Sequence, residues 1–144
     1  KMPHYAFDFM IKAFNLSSIN NKKILLLGVS YRSDVGDTRY SPVEPFYINC
    51  INNSAIVETH DPYVQYWEEV NINVSQDLYK KLNNHWDIIV FSAAHSEYKN
   101  QKVISTISVM NNVKILDTLG ILKPNDIKEL NKNNKVKVLG RGDI

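Results

Sequence analysis

Continuous apolar runs recur along the chain, and they limit its fold more than any other feature. The clearest are residues 23–28 and 87–92, and residues 113–117 and 135–139 resemble them. A short apolar run without polar alternation is typical of a strand that is buried on both faces. Strands of this kind lie in parallel sheets that helices cover from both sides.

The stretches between these runs carry apolar residues at helical spacing. Residues 43–51 show the pattern most clearly, and residues 78–82, 103–110 and 125–130 show it again. This alternation predicts an α/β fold: a Rossmann-like, doubly wound, mainly parallel sheet of about five strands with helices on both faces. Ligands of such sheets bind beyond the carboxyl ends of the strands, where the strand order reverses. That rule favours the loop after Gly28.

One more helix is predicted before the first strand, from about Pro3 to Leu16. Phe7 and Phe14 lie on its apolar stripe. Because this helix arrives without a preceding domain, we expect the chain to continue a longer polypeptide.

The charge balance excludes two classes of partner. The chain has 17 Lys plus Arg against 15 Asp plus Glu, and this net charge of +2 is too small to indicate a nucleic-acid surface or a patch for anionic membranes. The single cysteine excludes an internal disulfide. The sequence shows neither an export leader nor a long apolar span, so we expect a cytoplasmic protein.

The loop between the first strand and its helix is the strongest functional signal. It covers residues 28–42, whereas such a connection usually needs about two to six residues. Gly28 lets a ligand approach the backbone. Arg32 and Arg39 offer fixed positive charge, and a helix N-terminus near Ser41 offers unpaired amide groups. These elements together predict a phosphate site.

The acidic residues and the end of this loop each allow two interpretations. Asp34 and Asp37 either orient the arginines or pair with other groups at a subunit contact. The helix begins either after Ser41 or after Glu44, because a proline follows each of them. A solvated loop whose Asp–Arg pairs contribute little fits the composition equally well.

Residues 23–42, KILLLGVSYRSDVGDTRYSP, resemble the signature that opens the C-terminal domain of the UDP-glucose/GDP-mannose dehydrogenases, a family of nucleotide-sugar dehydrogenases. The first motif is long and specific, whereas the other matches are short and would mean little alone. They extend the resemblance over nearly the whole chain, at residues 2–3, 60–63, 91–98, 115–118 and 140–142.

The resemblance implies an oxidoreductase of polysaccharide precursor synthesis. In this family the C-terminal domain binds the nucleotide end of a UDP-sugar, while a separate N-terminal Rossmann domain binds NAD and a cysteine forms covalent intermediates with the sugar. Two hydride transfers turn a primary alcohol into the carboxylate of a uronate. Residues 1–20 would then be the end of the interdomain linker helix, and residues 21–144 the UDP-binding domain. The resemblance further implies a homodimer at full length, and a fragment that is inactive without the NAD-binding domain.

Several loop residues match the substrate contacts of the family. By resemblance, Tyr31 and Arg32 occupy an aromatic-plus-lysine pair that reaches the substrate, and Arg39 lies in a neighbouring Asp-x-Arg element. The expected substrate-binding residues are Tyr31, Arg32, Arg39, Gly28 and Ser30, and the residues expected to line the cleft are Asp37 and His95.

Two positions depart from the family pattern. Arg32 replaces a lysine, and a planar, forked donor does not reproduce a lysine's point charge. Leu119 stands where similar enzymes tend to carry an arginine. The departures favour, as an alternative, a non-catalytic oligomerisation module with weakened nucleotide binding, which would use the aromatic face of the first helix as its interface. A free-standing flavodoxin-like binding protein is the third hypothesis.

Other chemistry has less support in the sequence. No Gly-x-Gly-x-x-Gly follows a strand, so we do not expect this chain to bind NAD by itself. Cys50 lies on an apolar helical stripe without a histidine or lysine one turn away, so we assign it to packing. His60 and His95 form no metal-ligand spacing. We therefore predict no catalytic residue and no metal site in this chain.

Overall fold

The computed structural model describes residues 5–140. The helices in this range are α1 Tyr5–Ala13, α2 Val43–Asn52, α3 Leu78–Leu82, α4 Gln101–Ser108 and α5 Pro124–Leu130, with a 3₁₀ helix at Ser96–Lys99. The strands are β1 Lys23–Leu27, β2 Ile56–His60, β3 Tyr66–Trp67, β4 Ile72–Asn73, β5 Ile88–Phe91, β6 Lys114–Asp117 and β7 Lys135–Val138. None of the helices within these described residues is long and apolar enough to cross a membrane.

Five of the strands form one parallel sheet in the order β2-β1-β5-β6-β7. Leu27 of β1 is in register with His60 of β2 on one side and with Phe91 of β5 on the other. The chain builds outward from β1 to β2 and then crosses back to β5, so the strand order reverses between β1 and β5. The prediction of a mainly parallel, doubly wound sheet is confirmed. Its switch point lies at the carboxyl ends of these two strands.

Successive side chains along the strands point to opposite faces of the sheet, and they form one hydrophobic core on each face. Leu25 and Ile89 pack with α3, α4 and α5 on one face. Ile24 and Val90 pack with α1 and α2 on the other face. Both faces of these strands are therefore buried, which explains why the sequence shows continuous apolar runs.

The aromatic face of α1 packs against its own domain. Met10 and Phe14 are buried, and Phe7 is half-buried with its ring centroid 6.2 Å from that of Phe46 on α2. The alternative hypothesis of an exposed aromatic interface on this helix is therefore wrong, because the same side chains cover the sheet. Pro3, where the prediction began the helix, lies outside the described residues.

Residues 63–74, for which the sequence predicted no element, contain a small antiparallel hairpin of β3 and β4. Trp67 is fully buried in it, with its ring centroid 5.3 Å from that of Tyr47 on α2. Strands of two residues are too short to show the alternation that identifies longer strands.

Candidate functional site

Gly28 directly follows β1 and closes the switch point of the sheet. It has a φ of +107°, and a Cβ there would lie 2.8 Å from the backbone nitrogen of Ala93, which follows β5. Glycine is therefore required for the ends of β1 and β5 to meet this closely. The close approach at Gly28 is made to Ala93, and it does not form the open glycine-rich turn that a dinucleotide pyrophosphate needs. The residues at this strand end do not fit NAD.

Asp61, directly after β2, organises the start of the loop. Its Oδ2 accepts hydrogen bonds from the amides of Val29 and Ser30, at 2.9 and 3.1 Å, and from the Ser30 hydroxyl at 2.9 Å. His95 Nε2 lies 3.0 Å from the same oxygen, and the amide of Tyr63 donates to Oδ1 at 2.8 Å. Burial raises the pKa of the Asp61 carboxyl, but the hydrogen bonds from His95 and the backbone amides outweigh it and hold the pKa below its usual value. The carboxylate is therefore ionised at neutral pH.

Two residues of the predicted site lie beneath the loop. Ser30 is buried with its hydroxyl turned toward Asp61. His95 is fully buried, and its Nδ1 accepts a hydrogen bond from the amide of Asp34 at 2.8 Å. Because an amide nitrogen only donates, the proton of the neutral imidazole is on Nε2, where it faces Asp61. Both side chains hold the loop from below, and neither faces solvent.

Asp34 anchors the middle of the loop to the segment after β5. It adopts a left-handed conformation with φ of 62°. Its Oδ1 accepts from the amide of Ser96 at 2.8 Å and its Oδ2 from the Ser96 hydroxyl at 2.7 Å, and these hydrogen bonds lower the pKa of Asp34. Two residues later, Gly36 lies so close to the carbonyl of Tyr63 that a Cβ would not fit. The loop is thus tied to the ends of both neighbouring strands.

The two arginines of the loop project into solvent and share one carboxylate. The side chains of Arg32 and Arg39 are 71% and 75% exposed. Arg39 Nε donates to Asp37 Oδ1 at 3.1 Å, and Arg32 Nη2 lies 3.9 Å from Asp37 Oδ2. The hydrogen bonds from Arg39 lower the pKa of Asp37. Tyr31 is also exposed, and its amide donates to the Asp37 carbonyl at 2.7 Å, so the structure brings these four predicted residues together.

The N-terminus of α2 does not supply the unpaired amides that the sequence predicted. The helix begins at Val43, whose amide donates to the hydroxyl oxygen of Ser41 at 3.2 Å. The amide of Glu44 donates to the carbonyl of Ser41 at 3.2 Å. The next residue, Pro45, has no amide hydrogen. Positive charge at this site therefore comes from the guanidinium groups.

An apolar cavity of about 110 Å³ lies at the same edge of the sheet. Residues of α1 and α2 line one side, and residues at the ends of β5, β6 and β7 line the other. Leu119 is 50% exposed and forms part of the wall, so the position where similar enzymes tend to carry arginine is apolar here. The hydroxyl of Ser92, also in the lining, donates to the carbonyl of Gly28 at 2.6 Å. Among the residues that the structure describes, the cavity is therefore lined by apolar and uncharged polar side chains, with no charged one.

A larger cavity, about 350 Å³, lies along the outer edge of β2. The one cation in its lining, Lys81, is bound to Glu58 at 2.6 Å. The two arginines of the loop are far more exposed than this lysine, so the loop is the better candidate of the two for binding an anion.

Two further side chains that the sequence raised as candidates, Cys50 and His60, are buried. Burial raises the pKa of the Cys50 thiol to about 12, so the thiol is protonated at neutral pH. Burial lowers the pKa of His60 to about 4, and its Nδ1 lies 2.8 Å from the Tyr98 hydroxyl. No three or more His, Cys, Asp or Glu side chains in the described part of the chain are arranged to hold a metal ion.

Comparison with known proteins decides the family. Residues 25–124 match the model of the UDP binding domain of the UDP-glucose/GDP-mannose dehydrogenase family. The chain belongs to this family. The family resemblance of the loop motif is therefore confirmed.

Individual family members show how much of a whole protein this chain represents. UDP-N-acetyl-D-mannosamine dehydrogenase of Methanococcus aeolicus is 33% identical over 144 residues, which cover 98% of this chain and 31% of that protein. The crystal structure of NDP-N-acetyl-D-galactosaminuronic acid dehydrogenase from Methanosarcina mazei superposes with a TM-score of 0.80 at 26% identity, covering 96% of this chain and 29% of that one. UDP-D-ManNAc dehydrogenase from Pyrococcus horikoshii superposes with a TM-score of 0.73 at 26% identity, covering 99% and 31%. The chain spans about a third of the length of these family members.

In this UDP-binding domain, the sequence identified the loop together with Ser30 and His95, but it gave no role to Asp61 and Ser96, which also hold the loop. Asp61 was recognised only as part of a short motif, without a role. A usable signal was present, because an aspartate directly after a strand that neighbours β1 must lie beside the loop after β1. Ser96, the partner of Asp34, offered no comparable signal.

Proposed function

We propose that this chain binds the diphosphate of a UDP-sugar at the loop of residues 28–42. The observation that supports this is the pair of exposed guanidinium groups, Arg32 and Arg39, at the switch point of a parallel sheet. Guanidinium groups bind phosphate oxygens through charge-assisted, often bidentate hydrogen bonds. Asp37 already serves both arginines as a shared anionic partner, and a diphosphate would take that place with more negative charge.

The apolar cavity supports placing an uncharged part of the same ligand beside the diphosphate. Pro42 and Val43, which end the loop, line this cavity together with Leu119. The cavity therefore borders the residues that end the loop. Tyr31, which is exposed next to Arg32, remains a proposed contact of the substrate.

The whole protein is proposed to be an NAD-dependent nucleotide-sugar 6-dehydrogenase that oxidises the primary alcohol of a UDP-sugar to a uronate. Because two of the three proteins compared above are UDP-N-acetylmannosamine dehydrogenases, that sugar nucleotide is the first substrate to test. The polypeptide outside this chain would bind NAD, which accepts the hydride, and would supply the catalytic cysteine. The protonated, buried thiol of Cys50 supports this division. We further propose that this chain is inactive alone and that the full-length protein is a cytoplasmic homodimer.

Calorimetric titration of UDP into the purified chain tests the binding proposal. Arg32→Ala and Arg39→Ala are each expected to weaken binding about tenfold, since each removes a charge-assisted contact. Lys135→Ala is the matched control, because it removes an exposed cation at the amino end of β7, on the opposite edge of the sheet. Uridine, which lacks the diphosphate, is expected to bind much more weakly than UDP.

Two results would contradict the proposal. Absence of heat from the wild-type chain at millimolar UDP would show that this chain does not bind the nucleotide by itself. Equal weakening by Lys135→Ala would show that overall charge attracts the anion and that the loop has no special part. Titration with GDP in place of UDP reports the base preference.

A further inference from the structure

The loop of residues 28–42 contains no helix or strand, yet a diphosphate site needs arginines that are already in position. Its start is fixed by Asp61, and its end is fixed by α2. The middle of the loop, which carries Arg32 and Asp37 on either side of Asp34, is held by the segment after β5 and, at Gly36, by Tyr63 after β2. His95 lies in that segment.

His95 joins the middle of the loop to the end of β2 through both ring nitrogens. Nδ1 accepts from the amide of Asp34 at 2.8 Å, and Nε2 lies 3.0 Å from Oδ2 of Asp61. The ring is fully buried and is packed by Tyr63 and Tyr98, whose ring centroids lie 5.0 and 5.7 Å away. The imidazole is thus held by neighbours on three sides and cannot tilt without breaking a hydrogen bond.

The contact with Asp34 matters because this residue has a left-handed backbone, with φ of 62°. This conformation is uncommon for residues other than glycine, and aspartate adopts it more readily than most. The amide of Asp34 is bound by His95, and its carboxylate is bound by the amide and hydroxyl of Ser96 and by the side chain of Tyr63. Loss of the hydrogen bond to His95 would free the peptide group between Ser33 and Asp34. That group lies one residue after Arg32.

We propose that His95 is a positioning residue for the diphosphate: it holds the loop in its binding conformation through the amide of Asp34, without touching the ligand. The inference rests on the proposed function, because it assigns to His95 the placement of Arg32 and Arg39. Asp61 fixes the tautomer that this role needs, since its ionised carboxylate accepts a hydrogen bond from Nε2–H and so leaves Nδ1 unprotonated and able to accept.

Two substitutions of His95 separate its two hydrogen bonds. In His95→Asn the amide oxygen can occupy the place of Nδ1 and accept from Asp34, but the side chain is too short to reach Asp61. In His95→Gln the amide nitrogen can occupy the place of Nε2 and donate to Asp61, while the acceptor for Asp34 is lost. Both variants remove the ring, so both lose packing to a similar degree.

UDP titration of these variants, with thermal unfolding measured in parallel, tests the proposal. His95→Gln is expected to weaken UDP binding about five- to tenfold, and His95→Asn by less than about twofold, although both lower the melting temperature. The difference in affinity is the readout that a purely structural role would not produce. Equal affinities in the two variants, whether unchanged or equally weakened, would overturn the proposal.

Amide hydrogen exchange provides a second test that needs neither UDP nor a folded variant. In the wild-type chain the amide of Asp34 is expected to exchange much more slowly than that of Val35, whose side chain is 44% exposed. The ¹⁵N signals of His95 should show a protonated Nε2 and an unprotonated Nδ1. Fast exchange at Asp34, or the opposite tautomer, would overturn the proposal. If the wild-type chain does not bind UDP, the proposed function fails, while these signals still decide whether His95 holds the loop.

Discussion

Asp37 accepts two hydrogen bonds from the guanidinium group of Arg39, from Nε at 3.1 Å and from Nη2 at 3.3 Å. The backbone amide of Arg39 also donates to the same carboxylate, at 3.1 Å. The carboxylate therefore occupies the fork of donors that a phosphate group would use. In the absence of nucleotide, Asp37 orients the arginine and at the same time competes for it.

Asp37→Asn is expected to tighten UDP binding about two- to fivefold. The neutral amide no longer competes for the guanidinium groups, and the exposed ion pair that is lost is a weak one. Screening should make this gain smaller at high salt, so calorimetry at two salt concentrations is the measurement. Glu129→Gln is the control, since it also removes an exposed carboxylate that is paired with a cation. Glu129 lies on α5, and its partner Lys132 follows that helix. Weaker binding by Asp37→Asn would show that its orienting effect exceeds its competition.

The loop could be predicted from sequence, whereas the individual hydrogen bonds beneath it could not. The long connection after β1 and its arginines lie within one contiguous segment, so they can be identified without knowing the fold. The hydrogen bonds of Asp61 to Ser30 and of His95 to Asp34 join positions 31 and 61 residues apart. Such partners become neighbours only when the topology places β2 and β5 beside β1.

The first helix shows a different limit of sequence reasoning. Its spacing identified which face is apolar, and the structure places Met10 and Phe14 of that face in the core. Periodicity cannot say what covers an apolar face, because packing on the same chain and packing on another chain require the same residues. Only the alternative hypothesis gave the aromatic stripe an interface role, and the fold uses this face to cover its own sheet.

Gly28→Ala is expected to destabilise the fold more than Gly120→Ala. Both glycines have positive φ, of +107° and +74°, so both substitutions introduce backbone strain of about 1–3 kcal/mol. A Cβ at Gly28 would also clash with Ala93, whereas nothing lies within 4 Å of one at Gly120. The clash should add about 1–3 kcal/mol to the loss in free energy of unfolding. Urea unfolding of the two variants measures the difference, and equal losses would mean that Ala93 moves away at little cost.

Cys50 is expected to react with a thiol reagent only when the protein opens. Its side chain is fully buried, and burial raises the pKa of the thiol to about 12, so almost no reactive thiolate is present at neutral pH. Labelling by a chromogenic disulfide reagent should be at least about a hundredfold slower in the native chain than in urea. Rapid labelling of the native chain would instead reveal an accessible thiolate and would reopen a catalytic role for this cysteine.

His60 should make the fold less stable as the pH falls below neutrality. Burial lowers the pKa of His60 in the folded chain to about 4, whereas an unfolded histidine has a pKa of about 6.5. Between these values the unfolded chain binds a proton that the folded chain does not, so the free energy of unfolding decreases as the pH falls from about 6.5 to about 4, by up to about 3 kcal/mol. His60→Asn, which cannot titrate, is expected to start from a lower stability and to lose less of it over the same range. His85→Asn is the control, because the His85 side chain is 77% exposed and its substitution removes a histidine that lies outside the core. Urea unfolding across this pH range measures the three slopes, and parallel slopes for the wild-type and His60→Asn chains would show that His60 takes up a proton as readily in the folded chain as in the unfolded one.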